Sequence, residues 1–163
     1  SSSGGRIQYS GFSTADKSIR HILAPGTYFV EVFSSSETDY NLNLGATPIP
    51  DLVGNTRETA SRLNTLRKPQ ELTGKLNQVN TKNYYQFELA PGENSHAYQL
   101  DLGLNGLSAA ASVELLSSSG GRIQYSGFST ADKSIRHILA PGTYFVEVFS
   151  SSETDYNLTL SAT

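Results

Sequence analysis

The sequence predicts an all-β protein, an antiparallel, jelly-roll-like β-sandwich of about eight strands per unit with one short helix. Three observations carry that reading. Short apolar runs alternate with period two. Turn residues punctuate them every 8–12 residues or so. A single stretch departs from the period, with apolar residues at helical spacing.

In chain order, Thr56–Leu66 places Ala60, Leu63 and Leu66 at helical spacing, with Asn55 or Thr56 able to cap the start. Asn83–Ala90 alternates, with Tyr85, Phe87 and Leu89 on one face. Ala97–Leu104 does the same with Tyr98, Leu100, Leu102 and Leu104. Ser112–Leu116 is a short apolar strand running into the turn Ser117–Gly121, where Gly-Gly supplies positive φ cheaply. Arg122–Tyr125 follows, then Lys133–Leu139, broken by Ala140-Pro141-Gly142. Thr143–Phe149 sets Tyr144, Val146 and Val148 on one face, and Tyr156–Leu160 closes with Tyr156, Leu158 and Leu160. The last four strands are expected twice, because Ser1–Leu44 and Ser117–Leu160 are the same sequence apart from Asn43 against Thr159. The first set falls at Arg6–Tyr9, Lys17–Leu23, Thr27–Phe33 and Tyr40–Leu44.

The repeat offset is 116 residues, from Ser1 to Ser117. The intervening stretch occurs once, so the order is C-half, N-half, C-half of one unit. Gly45–Pro50 reads as a linker, since Pro48 and Pro50 hold it extended and deny it a ladder role. The expected organisation is a C-terminal half-unit over 1–47 and a complete unit over 48–163.

Among 163 residues the net charge is −3, and no run of Lys and Arg appears, which argues against nucleic acid. No apolar run approaches the roughly 20 residues of a membrane-spanning helix. Cysteine is absent, which removes disulfides, thiolate metal sites and cysteine nucleophiles. The Ser/Thr/Asn/Gly-rich, cysteine-free texture suits a secreted or surface protein. Asp132, Ser134 and His137, and their first copies Asp16, Ser18 and His21, lie on or beside one strand. A hydrolase needs these groups converging from separate elements, and there is no G-x-S-x-G elbow.

Taken in order, Asp51-x-x-Gly54-Asn55-Thr56, Asn83-Tyr84-Tyr85-x-Phe87, Gly106-Leu107-Ser108, Val113-x-Leu115-Leu116 and Leu139-Ala140-Pro141-Gly142-Thr143-Tyr144-x-Val146-x-Val148 resemble the bacterial pre-peptidase C-terminal domain. The likeness is strongest to the form repeated in large secreted cyanobacterial proteins, and extends to the collagen-binding domains of collagenases. It implies a small extracellular β-sandwich without catalysis. It also raises calcium, which some relatives bind near the start of the domain; the candidate ligands are Asp51, Asn55 and Glu58. The family often carries Asp where Asn83 stands, and the preceding Asn80-Thr81-Lys82 offers no carboxylate. Calcium wants about six to eight oxygen ligands, so the charge count is thin.

Phe29 and Phe33, with their second copies Phe145 and Phe149, flank Glu31 and Glu147 on the face opposite Tyr, Val and Val. A doubled aromatic strip marks either a contact surface between units or a strand buried on both faces. The duplicated half must also find partners for its strand edges. The expected partner is therefore a further copy of the chain itself or an adjacent repeat unit of a longer array, and the expected function is a non-catalytic structural or adhesive repeat module of a secreted or surface-anchored bacterial protein. Exchange or stacking of half-units would assemble it head to tail into a fibre. The alternative is an accessory domain that brings a secreted peptidase or glycosidase to an extracellular polymer such as collagen or polysaccharide. Neither reading requires a cofactor.

Overall fold

The computed structural model describes residues 5–49, 53–92 and 96–163. The chain divides into two units, Ser1–Pro50 and Asp51–Thr163.

Among the described residues the second unit has nine strands: β1 (Ser61–Thr65), β2 (Gln70–Leu76), β3 (Lys82–Leu89), β4 (Tyr98–Asn105), β5 (Ser112–Ser117), β6 (Arg122–Tyr125), β7 (Lys133–Leu139), β8 (Gly142–Phe149) and β9 (Thr154–Ala162). They form a five-stranded sheet ordered β1-β3-β8-β5-β6 and a four-stranded sheet ordered β2-β9-β4-β7. All pairings are antiparallel except β1 with β3. The alternating faces read from the sequence meet between the sheets. Tyr85, Phe87, Leu89, Val113, Leu115, Val146 and Val148 come from one sheet, and Leu100, Leu102, Leu104, Ile135, Tyr156, Leu158 and Leu160 from the other. Burying each such side chain is worth about 1.5–3 kcal/mol.

The two halves of the unit interleave. Residues 53–116 supply β1 to β4 and nearly all of β5; residues 117–163 supply β6 to β9. β6 pairs with β5, and β7 with β4. β8 lies between β3 and β5, and β9 between β2 and β4. No C-half strand pairs with another. The loops follow suit: Ser108 and Ala109 N–H donate to Thr154 Oγ1 at 3.0 and 3.1 Å, and Ser150 Oγ donates to the Ala110 carbonyl at 2.7 Å.

A polar tie crosses the core beneath the β2–β9 pair. Asn83 Nδ2 donates to Tyr156 Oη at 2.7 Å and to the Lys75 carbonyl at 3.2 Å, while the Tyr85 and Tyr156 hydroxyls share a 2.7 Å bond. Asn80 Nδ2 donates to Asn83 Oδ1 at 2.9 Å. Asn83 therefore both donates and accepts, which an ionised Asp could not do here. The Tyr156 ring lies over Gly74, its register partner, where a Cβ would stand 2.2 Å from the ring carbon Cζ.

The helix expected at Thr56–Leu66 does not form. Thr56–Ala60 is a turn, with Ala60 N–H donating to the Arg57 carbonyl at 3.3 Å, and β1 follows. A short helix rich in Thr and Ser carries a nucleation cost that strand pairing to β3 avoids. The misleading spacing has its own cause. Leu63 and Leu66 both reach the core although three residues apart, because Asn64 takes a positive φ of 59° and the β1–β3 register shifts between Arg62 and Thr65. β2 was not anticipated either, since Gly74 and Lys75 interrupt its apolar pattern.

In the first unit, residues 5–49 contain no strand or helix. The four strands expected at Arg6–Tyr9, Lys17–Leu23, Thr27–Phe33 and Tyr40–Leu44 are thus corrected. The reason is the interleaving: each needs an N-half strand beside it, and no C-half strand substitutes. Val30 is 58% exposed where its copy Val146 is fully buried. Contacts internal to the half nonetheless persist. Phe12 and Phe33 rings lie 6.0 Å apart, against 5.7 Å for Phe128 and Phe149. Tyr28 Oη donates to the Ala24 carbonyl at 2.8 Å, as Tyr144 does to Ala140 at 2.9 Å. Arg6 stands 4.9 Å from the Tyr9 ring, as Arg122 stands 5.0 Å from Tyr125. Gly11 and Gly127 share φ near 82° and 81°.

Gly74→Ala is expected to cost about 1–3 kcal/mol in denaturant unfolding, because the Tyr156 ring is pinned at its hydroxyl and cannot retreat. Unchanged stability would show that the ring moves freely.

Candidate functional site

The outer face of the five-stranded sheet carries a charged cleft. Registers align Tyr84, Glu147, Glu114 and Tyr125 in one row across β3, β8, β5 and β6. Two glutamates directly opposite each other repel unless answered, and each is. Lys82 Nζ reaches Glu147 Oε1 at 2.7 Å, and Tyr84 donates its hydroxyl to Glu147 Oε2. Arg122 grips Glu114 with both arms, Nε at 2.9 Å and Nη2 at 2.6 Å, and lies over the Tyr125 ring. Glu147 is only 8% exposed, so these partners offset the cost of burying its carboxylate.

The protonation preferences follow. The Lys82 ammonium is held above its ordinary value by its bond to Glu147. Burial, then the Glu147 carboxylate, pushes the Tyr84 hydroxyl up. Glu114 raises Arg122.

A third cation, Arg57, arrives from the turn after Gly54. Its guanidinium rests on Gly120, where a Cβ would stand 2.5 Å from Nη1 and where φ is +87°, so any other residue would be both strained and in the way. Together these groups line a cleft of about 330 Å³. It can grip an anionic or hydroxyl-rich group by charge-assisted hydrogen bonds.

Phe145 and Phe149 lie on this same outer face. Phe145 is buried, and Phe149 is half-buried against Phe128 and 5.8 Å from the Lys82 ammonium. Phe29 and Phe33, their first copies, are 77% and 71% exposed. Of the calcium candidates, Asp51 lies outside the described residues. Asn55 and Glu58 sit in the exposed turn before β1. The Glu58 carboxylate is held below its usual range by its own backbone N–H and then by Thr56. Among the described residues no group of three or more His, Cys, Asp or Glu converges. Ser134 and His137 point to opposite faces of β7, so the hydrolase constellation does not assemble.

Nothing in sequence spacing marks Arg57, Lys82, Tyr84, Glu114 and Arg122 as one site. The outward alternation of Lys82 and Tyr84 was a signal, but the row needs strand registers that sequence spacing does not supply.

No family model and no curated protein matches the chain. Among solved structures, the chain is similar to the pre-peptidase C-terminal domain of a collagenase from Bacillus anthracis, at 18% identity and a TM-score of 0.50, covering 63% of this chain and 93% of that one. A periplasmic inhibitor of g-type lysozyme from Aeromonas hydrophila matches at 12% identity and a TM-score of 0.45, covering 63% and 98%. By the first of these likenesses, the second unit has a pre-peptidase C-terminal-like β-sandwich fold. No helix in the described residues is long and apolar enough to cross a membrane.

Lys82, Tyr84 and Tyr85 all bind their protons more tightly when folded than their ordinary values of 10.5, 10.0 and 10.0. Their stabilisation is complete below about pH 10 and is lost as pH rises through the raised values. Melting temperature should hold steady to about pH 9 and fall beyond about pH 10. Tyr84→Phe should cost about 1.5 kcal/mol at neutral pH, the low end for a bond to a charge because Lys82 stays in place, and should shallow the alkaline fall. A Tyr84→Phe melting profile superimposing on wild type at every pH would contradict this.

Proposed function

We propose that this chain is a non-catalytic structural module of a secreted or surface-exposed protein, working through contact with further copies of itself, head to tail. The observation that carries the reading is the first copy of the duplicated half-sandwich, with its apolar strip exposed at Phe29, Val30, Val32 and Phe33 and no strand formed. Such a strip is costly in water and favours association. Head-to-tail contacts need not close into a ring, so a fibre is the natural product. The likeness to a collagenase's appended domain, the absence of cysteine and the lack of a nucleophile–base pair in the cleft support an extracellular, non-enzymatic role.

A second reading, an accessory domain for an extracellular polymer such as collagen or polysaccharide, is favoured by the cleft. It predicts that immobilised polymer retains the wild-type chain and releases an Arg57→Ala variant at lower salt.

For the first reading, light scattering of the wild-type chain should give a mean mass climbing with concentration from the monomer's 17.6 kDa. A constant monomer mass over a wide concentration range would overturn it.

A further inference from the structure

We propose that residues 5–47 are a preshaped second set of the β6–β9 strands, which docks on residues 53–116 of a second copy of this chain when that copy's own C-terminal set is withdrawn. This rests on, and sharpens, the self-assembly reading.

The side chains that enter the core are the same in both sets. Tyr28, Val30, Val32, Tyr40, Leu42 and Leu44 repeat Tyr144, Val146, Val148, Tyr156, Leu158 and Leu160, all of which face the core. Asn43 differs from Thr159, but Thr159 is on the outer face, opposite Glu71 and Gly103, where a side chain can reach solvent. Beyond Leu44, Gly45 stands where the second set has Ser161, Ala46 and Thr47 repeat Ala162 and Thr163, and Thr163 extends the β9–β4 pairing with two bonds to Gln99 at 2.8 and 3.1 Å.

Shape is retained as well as sequence. The Phe12–Phe33 contact joins residues far apart in the half and matches Phe128–Phe149 within a few tenths of an ångström. The Tyr28–Ala24 bond, the Arg6–Tyr9 stacking and the turn at Gly11 match their copies too. Only the inter-strand ladder is lacking. The N-half is what supplies it, because β6, β7, β8 and β9 each lie beside N-half strands. Docking is thus four-fold strand addition in a defined register.

The chain's own N-half is poorly placed to be that partner. In the complete unit Thr163 lies beside Gln99, at the end of the sandwich where β4 begins and β3 finishes. The Gly54 carbonyl accepts from Tyr84 N–H at 2.8 Å, toward the other end of β3. Tyr84 to Leu89 spans about 17 Å along the strand, and the sheets stand about 10 Å apart. From Thr47 to Gly54 the chain reaches about 25 Å fully stretched, little more than the roughly 20 Å diagonal of those two lengths, and it would have to take the longer way round the outside of the sandwich. A second copy imposes no such strain.

Two C-halves compete for each N-half, so exchange between intact chains gains no strand pairs. The donor shows itself when the C-terminal set is disabled. Val146→Asp with Leu158→Asp puts charges into the core from both sheets; Val30→Asp with Leu42→Asp does the same to the first set. The C-terminal double variant should keep a cooperative unfolding transition and show at least twice the monomer's 17.6 kDa in light scattering. The N-terminal double variant should unfold like wild type, and the quadruple variant should lose the transition. A C-terminal double variant as unfolded as the quadruple overturns the proposal, and so does one that folds as a monomer at every concentration. A quadruple variant that still unfolds cooperatively overturns it too. Wild-type chains that stay monomeric while the C-terminal double variant folds as an oligomer remove the fibre reading and leave this one standing.

Discussion

Every strand that residues 117–163 contribute hydrogen-bonds only to strands from the half before it, and the rest of the structure depends on that constraint. β8 and β9 are the second layer of each sheet's pairing, wedged between β3 and β5 and between β2 and β4. Neither half can assemble its share of the core first and wait. Among the N-half strands the parallel β1–β3 pair is the only hydrogen-bonded pairing. This is a high-contact-order arrangement, in which long loops must close before the ladder repays the lost entropy. It also explains how one sequence has two fates in one chain. Residues 122–162 are strands because partners flank them; residues 6–46 keep their turns and aromatic contacts but not the ladder.

The charged row on the outer face works on the same joint. Tyr84 and Lys82 belong to β3, Glu147 to β8, Glu114 to β5 and Arg122 to β6, so each polar contact spans a boundary between the halves. A register slip by one residue would carry Glu147 into the core and Val146 or Val148 out of it. The buried carboxylate thus specifies register as well as lining the cleft, a role its pairing with two donors permits.

What the sequence displayed and what it hid divide along physical lines. Seven of the nine strands were legible because one buried face forces alternation, as at Tyr85, Phe87 and Leu89. β1 was read as helix because its apolar residues recur three apart, and the device that reconciles that spacing with a strand is a positive φ at Asn64. β2 was overlooked because its inward Gly74 carries no side chain; the Tyr156 ring from β9 fills that space. The cleft was hidden because Tyr84, Glu114 and Arg122 are brought together by strand order, and Arg57 by the turn that lays it over Gly120. The strands expected in the first copy failed for a reason no local pattern contains, since a strand is a property of a pair.

The most direct test of the account is hydrogen exchange on dilute wild-type chain, followed by mass spectrometry of peptides from the final strand region. The two copies are indistinguishable by mass before this region, but peptides spanning Asn43 and Thr159 differ there, and those reaching further differ also at Gly45 and Ser161. The account predicts slow exchange for the Thr159 peptide, locked between β2 and β4, and exchange at the rate of an unpaired chain for the Asn43 peptide. Equal protection of the two peptides in monomeric protein would contradict it.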